Sequence, residues 1–155
     1  MNMKKIVVMS DNHGQHEMIK MIRNQESDAD FFVHCGDTEA KSDILKGWIA
    51  VKGNNDWMSD LNEEEIFNVD ETGVFVCHGH RLPFFDRDEV IIEILRKTKC
   101  QILLCGHTHV PEHTIIDGYH IINPGSTSLP RRGSAKGYCV IYVDNGNIEV
   151  EFKEI

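Results

Sequence analysis

Five loops of this 155-residue chain carry metal-ligating side chains: Asp11 with His13, then Asp37, Asn54, His78 with His80, and His107 with His109. The motifs run in the order D-x-H, G-D, G-N-x-D, H-G-H and G-H-T-H. Taken singly each is weak, because Gly-Asp and Gly-Asn are common turn dipeptides. Taken together they offer carboxylate oxygens, one neutral amide oxygen at Asn54 and several imidazoles. Such a mixed oxygen and nitrogen set suits manganese, iron, nickel or zinc better than calcium. A carboxylate such as Asp37 can bridge two cations with its two oxygens. The two-residue spacing of Asp11 and His13 places both side chains on one side of an extended segment, and His107 and His109 repeat it. Gly36 lets the backbone turn sharply before Asp37.

Each motif follows a short apolar run: Lys5 to Met9, Phe31 to Val33, Ile49 to Val51, Val74 to Val76, and Gln101 to Leu104. Short β-rich runs bounded by Gly and Asp read as buried strands. In open α/β sheets, sites form beyond the carboxyl ends of strands. The five loops are therefore expected to converge on one metal centre.

The intervening segments supply the rest. Gln15 to Asn24 carries Met18, Ile19, Met21 and Ile22 at helical spacing. A short helix is expected from Lys41 to Lys46, stopped by Gly47, and strand three from Ile49 to Lys52. Glu64 to Val69 and Val74 to Cys77 read as an antiparallel pair joined near Asp70-Glu71-Thr72-Gly73. Asp86 and Glu89 are spaced as a capping box, opening a helix with Val90, Ile91, Ile94 and Leu95 on its apolar stripe. Further strands are expected near Gln101 to Cys105, His113 to Ile116, Tyr119 to Asn123, Gly137 to Val143 and Ile148 to Phe152. Asp144-Asn145-Gly146-Asn147 is a hairpin turn. Alternating strands and helices followed by hairpins suggest two packed sheets with helices outside.

The length suits one domain, residues 1–155, with a sizeable core. The formal charge of −9 argues against stable nucleic-acid binding or an anionic membrane surface. No apolar run approaches the ~20 residues of a membrane span. Met1 to Ile6 runs into the first strand without a signal-peptide pattern, so a cytoplasmic location is expected. The five cysteines, Cys35, Cys77, Cys100, Cys105 and Cys139, are odd in number and show no CxxC spacing. That argues against a disulfide framework or a structural zinc site. Cys35, Cys77 and Cys105 precede proposed ligands closely, but read as small buried hydrophobes at strand ends.

The order and spacing of the five motifs, with Ile122-Asn123-Pro124-Gly125-Ser126, resemble the calcineurin-like metallophosphoesterase superfamily, in its small bacterial and archaeal phosphodiesterase branch. The resemblance spans Lys5 to about Tyr142. It implies a four-layer α/β/β/α sandwich of two mixed sheets, and a pair of divalent ions, manganese first, with nickel, iron or zinc as alternatives. It implies that Asp11, His13, Asp37 and His109 hold one ion. Asp37, Asn54, His78 and His107 would hold the other, with Asp37 bridging. The implied reaction is hydrolysis of a small phosphodiester by a solvent hydroxide held between ions typically ~3.5–4 Å apart. Catalytic roles then fall to Asp37, Asn54 and, at the leaving group, His80. Larger relatives often carry histidine where this chain has Asn55, which has no useful acid pKa.

Several residues read two ways. His80 assists the leaving group or caps its loop. His34 is a buried histidine supporting the ligands rather than one of them. Asp56 orients a ligand or closes its turn. Asn12 could touch a phosphoryl oxygen, and Arg131 and Arg132 either meet a phosphate or lie on a solvated loop. His16, His113 and His120 read as surface or strand-face residues. Trp57, Phe84 and Phe85 could stack a base, form a dimer contact or fill the core. Beside the phosphodiesterase stand a non-catalytic scaffold of the same fold, as in the retromer scaffold subunit, and a phosphomonoesterase. A homo-oligomer stays open.

Overall fold

A computed structural model describes residues 3–40, 42–57 and 59–155. Lys41, the first residue of the expected short helix, lies outside them, as do Met1 and Asn2 of the N-terminal run. Ten strands form two five-stranded sheets. The first contains β1 (Lys4–Met9), β2 (Phe31–His34), β3 (Ile49–Ala50), β9 (Gly137–Asp144) and β10 (Asn147–Glu154), in the order β10-β9-β1-β2-β3. The second contains β4 (Glu64–Val69), β5 (Thr72–Cys77), β6 (Ile102–Leu104), β7 (Glu112–Ile116) and β8 (Tyr119–Asn123), in the order β4-β5-β6-β8-β7. Helices α1 (Glu17–Gln25) and α2 (Arg87–Thr98) and a 3₁₀ turn at Ser42–Leu45 complete the described elements.

Alternation along the strands builds the layers. In β1, Ile6 and Val8 point to one face and Val7 and Met9 to the other, as a period of two requires. Ile6 and Val8 join Val33 and Ile141 of their own sheet, and Cys35 and Val51 just past β2 and β3, against Val74, Val76, Ile102, Leu104 and Ile122 of the second. Val7 and Met9 instead pack with Ile19 and Ile22 of α1. On the far side, Phe75, Leu103 and Ile121 pack against Ile91 and Leu95 of α2. The result is the expected α/β/β/α sandwich. Full burial of each of these side chains stabilises it by about 1.5–3 kcal/mol.

The parallel strands position the site. β1, β2 and β3 run parallel in the first sheet, and β5, β6 and β8 in the second. Every candidate ligand lies in a loop after the carboxyl end of one of the first five of these strands.

Three local expectations are corrected. β3 is only two residues long, although the Val51 N–H still donates to the His34 carbonyl at 3.2 Å. The β4–β5 turn is tighter than expected: Val69 pairs with Thr72, leaving only Asp70 and Glu71 between them. Asp86 makes no side-chain cap, because its own backbone is left-handed, φ 59°. Its carbonyl instead accepts the Val90 N–H at 3.0 Å. The Asn145-Gly146 hairpin forms as expected, with positive φ at both residues and Asp144 paired to Asn147.

Candidate metal centre

The loops bearing the candidate ligands do not continue their strands. Asp11, His13, Asp37, His107 and His109 all take the left-handed backbone, at φ 57°, 43°, 56°, 71° and 62°. The expectation that Asp11 with His13, and His107 with His109, share one side of an extended segment is therefore wrong. β1 ends at Met9 and β6 at Leu104, and the chain then coils. Left-handed conformations cost non-glycine residues roughly 1–3 kcal/mol and concentrate at functional sites, where surrounding contacts enforce them.

Glycine permits the close approach. A Cβ at Gly53 would collide with the Asp37 carboxylate and backbone N, and one at Gly106 with the Ser10 hydroxyl and the Asp11 carboxylate. The Gly-Asn and Gly-His motifs thus let neighbouring loops lie against the two carboxylates.

Imidazole nitrogens surround those carboxylates. Asp11 Oδ1 lies 3.2 Å from His109 Nε2 and 3.8 Å from both His13 Nε2 and His78 Nε2. Asp37 Oδ2 lies 3.3 Å from His78 Nε2 and 3.8 Å from His13 Nε2. Two groups compact enough for a metal ion result, Asp11 with His13 and His109, and Asp11 with Asp37 and His78. His107 adjoins them: its N–H donates to Asp11 Oδ2 at 3.0 Å, and its ring centroid is 5.2 Å from that of His78. His80 stands 5.4 Å from His78, centroid to centroid. Asn54 is exposed on the turn after β3. Its neighbour Asn55 reaches Asp37 instead, donating its backbone N–H to Oδ1 at 2.8 Å and its amide to Oδ2 at 2.9 Å.

The outer partners decide which imidazole nitrogen faces inward. His78 Nδ1 meets the Cys35 carbonyl at 2.7 Å, and His109 Nδ1 the Leu129 carbonyl at 2.6 Å. A carbonyl only accepts, so each Nδ1 carries the proton. His13 Nδ1 meets Glu39 Oε2 at 2.9 Å in the same way. In the neutral rings, Nε2 then offers a lone pair to the centre, the arrangement that metal-binding histidines commonly use. Asp11 Oδ1 and His78 Nε2 are buried with no hydrogen-bond partner. Buried polar atoms rarely stay unsatisfied, and a cation between them fits both.

The field agrees. Burial opposes ionisation of Asp11, but His109, His78 and the Ser10 hydroxyl outweigh it and lower its pKa. Asp37, likewise opposed by burial, is held well below the usual carboxylate range by His78 and Asn55. Its partner His78 is raised despite burial, chiefly by Asp37, while contact with Asp11 raises His109. Burial lowers His80 and His107. Two anionic carboxylates among basic imidazoles are ready to exchange protons for a cation.

Asp56 lies behind the candidate ligands and bonds both to its own turn and to the Asp37 loop. Its carboxylate accepts the N–H groups of Asp37, Gly53 and Glu39 at 2.7, 2.8 and 2.8 Å. His34 is buried behind the candidate ligands. Its Nδ1 accepts the Gly36 N–H at 3.0 Å, so Nε2 donates to Asn12 Oδ1 at 2.8 Å. Burial lowers its pKa to about 4, keeping it neutral. Ser126 anchors the loop after β8, donating to the Asp11 carbonyl at 2.8 Å and accepting the Leu129 N–H at 2.8 Å. Glu39, Ser10 and the Cys35 and Leu129 carbonyls escaped the sequence reading. Glu39, two residues past Asp37 in an acidic loop, carried the only hint.

The expectation that the cysteines are buried at strand ends holds for Cys35 and Cys105. All five are free, Cys77 half-buried and the others buried, and none belongs to a candidate metal group among the described residues. Burial pushes the Cys35 and Cys105 thiols far up, and Cys77 to about 12, so they hold their protons. His113 and His120 stack on the β7–β8 hairpin, 5.2 Å between centroids. Trp57, Phe84 and Phe85 are exposed, which removes the core-filling option.

The model of the calcineurin-like phosphoesterase superfamily domain matches residues 3–146. The chain belongs to this superfamily. A probable metallophosphoesterase of Bacillus subtilis is 27% identical, over 95% of this chain and 89% of that protein. A phosphodiesterase of Methanocaldococcus jannaschii is 28% identical, over 83% of this chain and 90% of its own length. Among solved structures, a conserved protein of Streptococcus pneumoniae described as a predicted phosphoesterase superposes with a TM-score of 0.91. It is 28% identical, and the match covers 98% of this chain and 90% of that one. The superfamily places the carboxylate and imidazole cluster in a metallophosphoesterase.

Proposed function

We propose that this metallophosphoesterase is a dinuclear-metal phosphodiesterase acting on small phosphodiesters. The observation that carries the reading is the set of three histidines whose Nδ1 atoms are engaged outward, leaving Nε2 toward two buried carboxylates. Asp11, His13, Asp37 and His109 would hold one ion and Asp37, Asn54, His78 and His107 the other, manganese being the first candidate. Asn54 would supply the neutral amide oxygen of that set.

When bound, such a pair supplies a hydroxide at neutral pH and positive charge for the phosphoryl oxygens. The chain's own residues do the rest. Asp56 and Asn55 fix Asp37, while Cys35, Leu129 and Glu39 fix the imidazoles, so the groups need little reorganisation. One P–O bond forms to the attacking oxygen, the opposite P–O bond breaks, and the departing oxygen takes a proton. Asn55 cannot provide that proton, and its amide is occupied by Asp37. His80, beside His78 and His107, is the candidate donor. A weak acid at this point favours diesters with good leaving groups over alkyl monoesters.

The test is hydrolysis of bis-p-nitrophenyl phosphate against p-nitrophenyl phosphate, with manganese or with chelator. The proposal expects metal-dependent turnover and a higher kcat/KM for the diester. A higher value for the monoester would make the protein a phosphomonoesterase. No turnover of either with metal bound would leave the scaffold reading.

A further inference from the structure

His107 also forms part of the wall of a cavity of about 620 Å³, with Phe84, Arg87, Thr108, Arg131 and Arg132. That volume is in the range of small-molecule sites, about 300–1,000 Å³. Its charge is opposite to that of the molecule. The chain carries a formal −9, yet three arginines line this one wall against a single carboxylate, Glu112. Arg87 is engaged by Glu112 at 3.5 Å and Asp88 at 3.9 Å. Arg131 and Arg132 make no ion pair among the described residues.

The loop bearing these arginines is built rather than loose. The Arg131 N–H donates to the carbonyl of the ligand His109 at 3.1 Å. Ser134 Oγ donates to the Arg131 carbonyl at 2.6 Å, and Arg132 takes a left-handed φ of 54°. The loop is thereby tied to the metal centre. Opposite in character stands Phe84, 91% exposed, its ring edge-on to Phe85 with centroids 5.4 Å apart. An exposed apolar pair rimmed by polar residues is the kind of surface that marks a binding groove. Aromatic faces beside guanidinium groups recognise a base joined to a phosphate.

We infer that Arg131, Arg132 and Phe84 form a subsite for the part of the substrate beyond the scissile phosphodiester, and that this part carries an aromatic base and a second phosphate. The substrate class is then a small phosphorylated nucleotide ester. The inference rests on the phosphodiesterase reading above. The arginines engage the second phosphate, Phe84 stacks the base, and the scissile phosphorus is presented to the cluster at His107.

The test compares the p-nitrophenyl ester of thymidine 5′-phosphate with the same ester bearing a 3′-phosphate, at fixed manganese and low salt. The unmodified protein should show kcat/KM on the order of tenfold higher for the bisphosphorylated ester. The ratio should fall toward one in the Arg131→Gln/Arg132→Gln double variant, and shrink as salt rises. Phe84→Ala should lower kcat/KM for both thymidine esters relative to bis-p-nitrophenyl phosphate. Calorimetric binding of thymidine 3′,5′-bisphosphate against thymidine 5′-phosphate reads the same preference without turnover. A ratio of one in both assays, or a preference surviving in the double variant at unchanged metal content, would overturn the subsite. A binding preference without hydrolysis of any diester would leave the subsite standing and remove the phosphodiesterase reading.

Discussion

The carboxylate of Asp56 accepts the backbone N–H of Asp37 at 2.7 Å, and with the same oxygen that of Gly53 at 2.8 Å. Two motifs that look independent in the chain, G-D and G-N-x-D, are therefore one unit. Asp56→Ala should weaken manganese binding about 10–100-fold, as loss of a ligand-orienting group usually does. Leaving buried N–H groups unpaired should also cost about 1–3 kcal/mol each. Metal titration and denaturant melts measure the two effects. Unchanged metal affinity in a folded variant would show that Asp56 only closes its turn.

Another buried carboxylate holds the fold rather than the site. Glu26, just past α1, meets Lys5 at 2.8 Å, Tyr138 at 2.5 Å and Lys153 at 2.9 Å. Burial raises its pKa, but these donors overcome that and bring it down to about 2 from 4.5. A depressed carboxylate stabilises fully above its unfolded pKa and loses that contribution as pH falls through its folded one. Glu26→Gln should thus destabilise the protein by roughly 2–3 kcal/mol at pH 7. The gap should narrow as pH falls from about 4.5 to about 2. Chemical denaturation at several pH values checks this, and a gap independent of pH would contradict it.

The thiols should be dispensable for metal. Cys35→Ser and Cys105→Ser place hydroxyls in buried positions and should cost about 1–3 kcal/mol of stability. Metal stoichiometry should not change. A folded variant that lost an ion would make the sulfur a ligand.

Leaving-group dependence probes His80. With Asn55 bound to Asp37 by two hydrogen bonds, no strong acid stands at that position. Rate should depend steeply on leaving-group pKa in a diester series, and more steeply still in His80→Ala. Losing an acid catalyst typically costs ~10²–10⁴-fold for poor leaving groups. A shallow slope unchanged in His80→Ala would place the acid elsewhere.

The layers and most strands were legible because they follow local rules. The continuous apolar run of Ile6 to Met9 and the turn chemistry at Asn145-Gly146 need no distant information. The order of the ligand motifs was legible for the same reason. The conformation of those motifs was not: left-handed φ at Asp11, His13 and His107 is imposed by loops that meet only in three dimensions. The same holds for Glu39, for the Cys35 and Leu129 carbonyls, and for Glu26, whose partners Tyr138 and Lys153 lie more than a hundred residues away. Asp86 misled because its sequence suits a capping box while its backbone adopts the left-handed region.

Elemental analysis of the manganese-reconstituted protein tests the metal centre most directly. The account predicts close to two ions per chain in the unmodified protein, and loss of both in Asp37→Ala that remains folded. Full occupancy in that variant, or at most one ion in the unmodified protein at saturating metal, would contradict a dinuclear centre joined through Asp37.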